Sequence, residues 1–195
     1  MLASGSGSNL QAIIDACTGG RLRAEVRVVI SNNLGSGALE KASRSGIAAL
    51  HLSSKTHPAP GQLDNAICRA LQDSDVEFVL LAGYMKKLGP RTLERFRGRV
   101  LNIHPAPLPR FGGPGMYGLA VHQAVIDSGA ATTGASIHVV DEQYDHGPVI
   151  AFAEVDVRSD DTPESLAERV LAEEHELYVA TLAKIASGEL TLPAG

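Results

Sequence analysis

Short β-branched runs alternate along the chain with segments whose apolar residues recur every three or four positions. The runs predict strands at Val26–Ser31, Ala48–Leu52, Val76–Ala82, Arg99–Asn102, Gly134–Val140 and Val149–Val155. Helices are predicted near 8–19, 35–46, 61–73, 90–97 and 116–129, then a long one near 163–187. Such alternation predicts an α/β fold, doubly wound, with a mostly parallel sheet and helices on both faces. The last two predicted strands are joined by a loop without a helix, so they are expected to add an antiparallel hairpin at the sheet edge. Only Met1-Leu2-Ala3 precede the first glycine-rich turn, where a central strand usually has about five residues. Counting that stub, the sheet is expected to hold about seven strands. A stub so short points to a misassigned start or a shortened chain, and is expected to support the following turn weakly.

The turn is Gly5-Ser6-Gly7-Ser8-Asn9-Leu10. Ser8 and Gln11 have the S-x-x-Q spacing of a capping box, which predicts a helix starting at Ser8. Leu10, Ile13, Ile14 and Cys17 then follow at the spacing of a buried helix face. A glycine-rich turn at a helix N-terminus is either a plain tight turn or a cradle whose N–H groups hold a phosphate. It is a poor dinucleotide fingerprint. Leu10 stands in place of the third glycine, and the next strand ends in Ser31-Asn32-Asn33 instead of a carboxylate.

Composition narrows the classes. With 195 residues, 44% apolar and 20% charged, the chain is expected to be a soluble globular protein with one core; length alone leaves room for a second small domain. A net charge of −5 without a basic stripe argues against a nucleic-acid partner. Cys17 and Cys68 are distant and lack CxxC spacing, as in reduced core thiols. There is no eighteen-residue apolar run and no charged-then-apolar leader, so no membrane association is expected and the expected location is cytoplasmic.

The sharpest chemistry lies in Leu101-Asn102-Ile103-His104-Pro105 and Val140-Asp141-Glu142-Gln143-Tyr144-Asp145-His146-Gly147-Pro148. Asn102 and His104 alternate at a strand end and point to one side, and Pro105 stops the strand. Asp145 follows a second strand in a loop that Gly147-Pro148 turns. An amide, an imidazole and a carboxylate brought together can move protons around a tetrahedral acyl intermediate. As metal ligands, His104, His138 and Asp145 lack the usual close pairs, and no metal is expected.

Together the three stretches resemble the folate-dependent formyltransferases, and among these the phosphoribosylglycinamide (GAR) formyltransferases of purine synthesis. The resemblance runs from Leu2 to about Leu190. It implies a Rossmann-like formyltransferase domain over 1–195, with a phosphate-binding half at 1–100 and a catalytic, folate-binding half at 101–195. It implies 10-formyltetrahydrofolate as cosubstrate, glycinamide ribonucleotide as acceptor, and a monomer or homodimer. Catalysis would fall to Asn102, His104 and Asp145. Asn102 and a protonated His104 would donate to the oxyanion, and Asp145 would favour the imidazolium and help relay the amine proton. Gly7, Ser8 and Asn9 would hold the substrate phosphate, and Glu174 would contact the same substrate. Met85, Lys86, Lys87, Leu88, Asn102 and Asp141 would face the folate, with Lys86 standing where arginine is common.

Several residues read two ways. Leu80–Leu88 suits a buried strand running into a short helical turn with solvated lysines, as well as a folate wall. Glu174 shares a helix stripe with Leu166, Val170, Leu177 and Thr181, and either reaches solvent at its edge or meets a partner. His138 is a core histidine or a supporter of the site. His122 reads as structural, and His146, His51 and His57 as surface residues. The Arg110-Phe111-Gly112-Gly113-Pro114-Gly115-Met116-Tyr117-Gly118 loop is a flexible linker or, as in a subset of relatives, the border of the ribose-phosphate pocket. Thr162-Pro163 is a good start for the last helix. Two other members of the wider family share the catalytic core. A formyltetrahydrofolate hydrolase carries an extra N-terminal domain, and a tRNA formyltransferase an extra C-terminal one. From other classes, a metal-dependent hydrolase and a non-catalytic nucleotide-binding module are the rivals.

Overall fold

The structure, a computed structural model, describes residues 1–193. Among them lie strands β1 (Val28–Ser31), β2 (Ala48–His51), β3 (Val79–Ala82), β4 (Val100–His104), β5 (Thr132–Val139) and β6 (Val149–Asp156). The helices are α1 (Ser8–Thr18), α2 (Gly37–Arg44), α3 (Gln62–Asp73), α4 (Pro90–Arg95), α5 (Leu119–Asp127) and α6 (Pro163–Ala186). The fold is α/β with mixed pairing. β1 pairs β2 in parallel, and the other four strands run in the order β3-β4-β5-β6.

The expected antiparallel hairpin forms at the sheet edge from β5 and β6, while the strand count and the reversed member differ from expectation. Six strands form, not seven, because Met1–Ala3 makes isolated bridges only. The reversed strand is β5, inside the order, since β5 is antiparallel to both β4 and β6. β6 at the edge therefore runs the same way as β4. The N-terminal stub is also a stronger support than its length suggests. Leu2 bridges Ile30 on one side and Leu81 on the other, both in parallel. Its N–H donates to Leu80 O at 2.8 Å, its carbonyl accepts from Ala82 N–H at 3.1 Å, and Ala3 N–H donates to Ile30 O at 3.1 Å. Leu2 thus splices the β1–β2 pair to the four-stranded segment.

Successive residues of these strands enter different cores, as a period of two requires. Leu2, Val28, Ile30, Leu81 and Val100 pack with Ile67, Leu71 and Phe96 from the α3–α4 side. Ala3, Val29, Ala82, Leu101 and Ile137 pack with Leu10, Ile13 and Tyr178 from α1 and α6. Tyr178 is fully buried, and its hydroxyl lies 3.1 Å from Leu81 O and 3.2 Å from Leu101 O, tying α6 to β3 and β4.

Helix ends follow local chemistry in one case and distant chemistry in another. Thr162 caps α6 in a reciprocal capping box with Ser165, and Pro163 occupies the first turn. α4 has only Gly89 at its start, so Asp64 of α3 caps it from outside, accepting from Arg91 N–H at 2.8 Å and Thr92 N–H at 3.1 Å. A Cβ at Gly89 would meet that carboxyl.

Truncating Leu2 to alanine removes a fully buried side chain at the splice. We expect a loss of about 2–5 kcal/mol in urea unfolding. A loss below about 1 kcal/mol would show that the stub is dispensable to the sheet.

Candidate active site

β4 and β5 pair with Asn102 opposite His138 and His104 opposite Ser136, which puts four polar side chains on one face at the strand ends. Asn102 Nδ2 donates to His138 Nε2 at 3.1 Å, and His138 Nδ1 donates to Val139 O at 3.2 Å. His104 Nε2 donates to Phe111 O at 2.7 Å, which leaves Nδ1 facing Asp145 Oδ2 at 3.7 Å. Asp145 Oδ1 is 3.5 Å from His138 Nε2. The carbonyl partners set these tautomers. Asn102, His104 and Asp145, expected to meet, are therefore brought together, with His138 as a fourth member. Sequence reasoning left His138 undecided, although its alternation with Ser136 along β5 carried the signal. Ser136 was missed. Its hydroxyl donates to Ala106 O at 2.7 Å and accepts from Leu108 N–H at 3.3 Å, holding the loop that follows His104.

Asp145 is positioned by strain and close packing. Its φ is 53°, the left-handed region that a non-glycine residue rarely occupies. Gly113 N–H donates to its Oδ2 at 2.9 Å. Two residues on, a Cβ at Gly147 would lie 1.8 Å from Val139 O, so only glycine lets the loop close against β5.

Burial decides the charges. It holds the His104 pKa below the usual 6.5, despite the Asp145 carboxylate and the Phe111 carbonyl, which push it up. This works against the expected protonated His104, since desolvation outweighs one carboxylate at 3.7 Å. Burial also pushes Asp145 up, but the neighbouring His138 and His104 rings and the Gly113 N–H outweigh it, and Asp145 stays below the usual carboxylate range.

The glycine turn departs from the predicted capping box. The helix begins at Ser8, but the cap is Gly7 at φ 73°, with no side-chain hydrogen bond, and Gln11 reaches forward to Asp15 instead. The box fails because a left-handed cap leaves Ser8 already inside the helix. The N–H groups of Gly7, Ser8 and Asn9 have no partner among the described residues. Gly7 packs so closely on α2 that a Cβ would sit 2.7 Å from Ala38 Cα. The Asn33 amide, another unforeseen contributor, donates to Ser4 O at 2.6 Å and anchors the turn. Asn9 Nδ2 donates to Glu174 Oε2 at 2.7 Å. Glu174 is buried, and burial lifts its pKa to about 7 against the pull of that amide.

Asn102, His104, His138, Asp145, the glycine turn and Glu174 line one cavity of about 910 Å³. Its walls include the 5–9 turn, the Met85–Leu88 segment, Asn102, His104, the 113–118 loop, Asp141, Asp145 and Glu174. No helical turn forms at 84–88. The segment is irregular, Leu88 is buried in the α3-side core, and Met85 and both lysines are exposed. Met85 N–H donates to Ser4 Oγ at 2.7 Å. Irregular backbone wins over helix because that buried anchor and the Met85 bond pull the segment along the cavity rim. Asp141 accepts from His146 Nδ1 at 2.8 Å and from Gln143 N–H. Among the described residues, no group of three or more His, Cys, Asp or Glu side chains is placed to hold a metal ion. No helix there is long and apolar enough to cross a membrane.

Residues 1–182 match the family model described as formyl transferase. The chain belongs to the formyl transferase family. The match takes in every residue lining the cavity, from Ser4 to Glu174. Among family members, the chloroplastic phosphoribosylglycinamide formyltransferase of Arabidopsis thaliana is 42% identical over 95% of this chain and 64% of its own length. The phosphoribosylglycinamide formyltransferase of Escherichia coli (strain K12) is 35% identical over 98% of this chain and 88% of its own. The crystal structure of glycinamide ribonucleotide transformylase 1 from Symbiobacterium toebii superposes with a TM-score of 0.91 at 40% identity, covering 99% of this chain and 89% of that one. The chain thus spans less than two thirds of the plant relative and most of the bacterial ones.

Because Asp145 raises the His104 pKa and burial lowers it, Asp145→Asn is expected to move the ring's titration, read by NMR, to still lower pH. An unchanged or higher titration would contradict this account of the site.

Proposed function

We propose that this chain transfers a formyl group from 10-formyltetrahydrofolate to the primary amine of glycinamide ribonucleotide, a step of de novo purine (IMP) biosynthesis. One observation carries the reading: buried His104, with half-buried Asn102 and Asp145 beside it, shares its cavity with a helix N-terminus that no side chain caps. The first supplies acyl-transfer chemistry and the second an anion site, and a phosphorylated amine needs both.

The substrate phosphate binds the free N–H groups of Gly7, Ser8 and Asn9, where the α1 dipole favours negative charge. Glu174, protonated about half the time near pH 7, meets the same substrate's hydroxyls. The folate ring system lies along Met85–Leu88 and Asp141, with Lys86 and Lys87 at the mouth for its carboxylates. The amine attacks the formyl carbon. Asn102 has one amide N–H on His138, and its second donates to the oxyanion that forms. Neutral His104 takes the amine proton, Asp145 stabilises the imidazolium, and the ring returns the proton to the departing folate nitrogen. One C–N bond forms, one breaks, and a single proton moves from the amine to the folate. The wall draws on both halves of the chain, which supports one catalytic domain over 1–195. Two cores on alternating strand faces support a Rossmann-like, doubly wound description. Two free cysteines suit a cytoplasmic setting.

Mixing the protein with both substrates is expected to release tetrahydrofolate only when the amine is present. Release without it would point to a hydrolase. His104→Ala is expected to lower kcat at least about 100-fold with a smaller change in KM; near-normal turnover would remove the residue from the mechanism. Since the base must be neutral and its pKa lies below 6.5, kcat/KM is expected to rise with pH through that range and level off near neutrality. A profile that falls over that span would require a protonated His104.

A further inference from the structure

His122 is not used by the chemistry above, yet it lines the same cavity. It sits in α5 and is 4% exposed. Its Nδ1 is buried and has no hydrogen-bond partner among the described residues, which leaves Nε2 as the ring nitrogen that reaches the cavity. A buried N–H without an acceptor costs more than a buried lone pair without a donor, so the proton belongs on Nε2. Burial, and then the His104 charge, hold the ring's pKa near 4. His122 is therefore a neutral donor across the working range and does not compete with His104 for the proton.

Its neighbours say which substrate it meets. Val121 and Val125 of α5 pack against Leu166 and Val170 of α6, so His122 shares a wall with Ala167, Leu171 and Glu174. That is the wall assigned to the amine substrate. It is also close enough to His104 for that ring's charge to weigh on it. In glycinamide ribonucleotide the reactive amine and the amide carbonyl are separated by a single CH₂ group. The group that holds the carbonyl must therefore lie beside the group that takes the amine proton.

We propose that His122 is a substrate-positioning residue whose Nε2–H donates to the amide carbonyl of the amine substrate, aiming the amine at the formyl carbon. This rests on the formyl-transfer reading and adds how the acceptor is recognised. It also gives the buried polar ring a use that packing alone does not provide. A leucine of similar size would fill the site and remove the unpartnered nitrogen.

The test is steady-state kinetics on the full chain with both substrates, comparing wild type, His122→Leu and His122→Gln. Loss of one neutral hydrogen bond is expected to raise KM for glycinamide ribonucleotide about three- to tenfold in His122→Leu. KM for 10-formyltetrahydrofolate is expected to stay within about twofold, the melting temperature to hold or rise, and His122→Gln, which keeps a donor, to recover part of the loss. An unchanged KM for the amine, or both KM values rising together with a lower melting temperature, would overturn the proposal by making His122 structural. If wild type transferred no formyl group to glycinamide ribonucleotide, the underlying reading would fail and this proposal with it. Normal wild-type transfer beside an unaffected His122→Leu would sink the positioning role alone.

Discussion

Everything in the site depends on a carboxylate facing an imidazole that the fold has stripped of water. His104 is 4% exposed, and burial favours its neutral form. Asp145 at 3.7 Å makes the charged form reachable without making it the resting form. A general base needs that balance: empty before the amine attacks, and able to hold a proton for the moment between attack and release. The chain accepts local cost for it. Asp145 has left-handed backbone, Gly147 closes against Val139, and Gly113 donates to the carboxylate from a separate loop.

The sheet explains how such remote groups meet. Leu2 sits between β1 and β3, so the turn that follows it emerges beside the segment that follows β3. Ser4 Oγ accepting from Met85 N–H is the direct consequence. β5, reversed against β4, places His138 and Ser136 opposite Asn102 and His104. The β5–β6 connection then returns Asp145 over the same strand ends. α6 closes the cavity from the other side through Glu174 and is tied to β3 and β4 by Tyr178. Glycine turn, central strands and far wall therefore share one buried frame, and a change at Leu2 reaches all three.

Much of this was legible in the sequence because it is local. Apart from the N-terminal stub and the turn after β3, each predicted helix and strand formed, with ends within a few residues, since period and punctuation are local properties. Thr162-Pro163 read correctly for the same reason. The residues that failed depend on distant partners. Gly7's left-handed conformation, locked by Ala38, moved the cap away from Ser8. Asp64 caps a helix about twenty-seven residues ahead, as its bond to Arg91 N–H shows, which no short window reveals. The direction of β5 was missed because the preceding helix, α5, suggests a parallel crossover. His104's charge was read from the expected carboxylate beside it, whereas burial, invisible in a linear sequence, decides it. His138 read either way and His122 read as structural, because only the cavity distinguishes a buried residue that packs from one that faces a ligand.

The most direct test of the central claim is a double-mutant cycle on kcat for formyl transfer, with His104→Ala and Asp145→Ala alone and combined. If the carboxylate acts through the imidazole, the two losses overlap, and the double variant should be about as slow as His104→Ala. Losses that multiply would mean the two side chains act independently, and the account of a buried base governed by its carboxylate would be wrong.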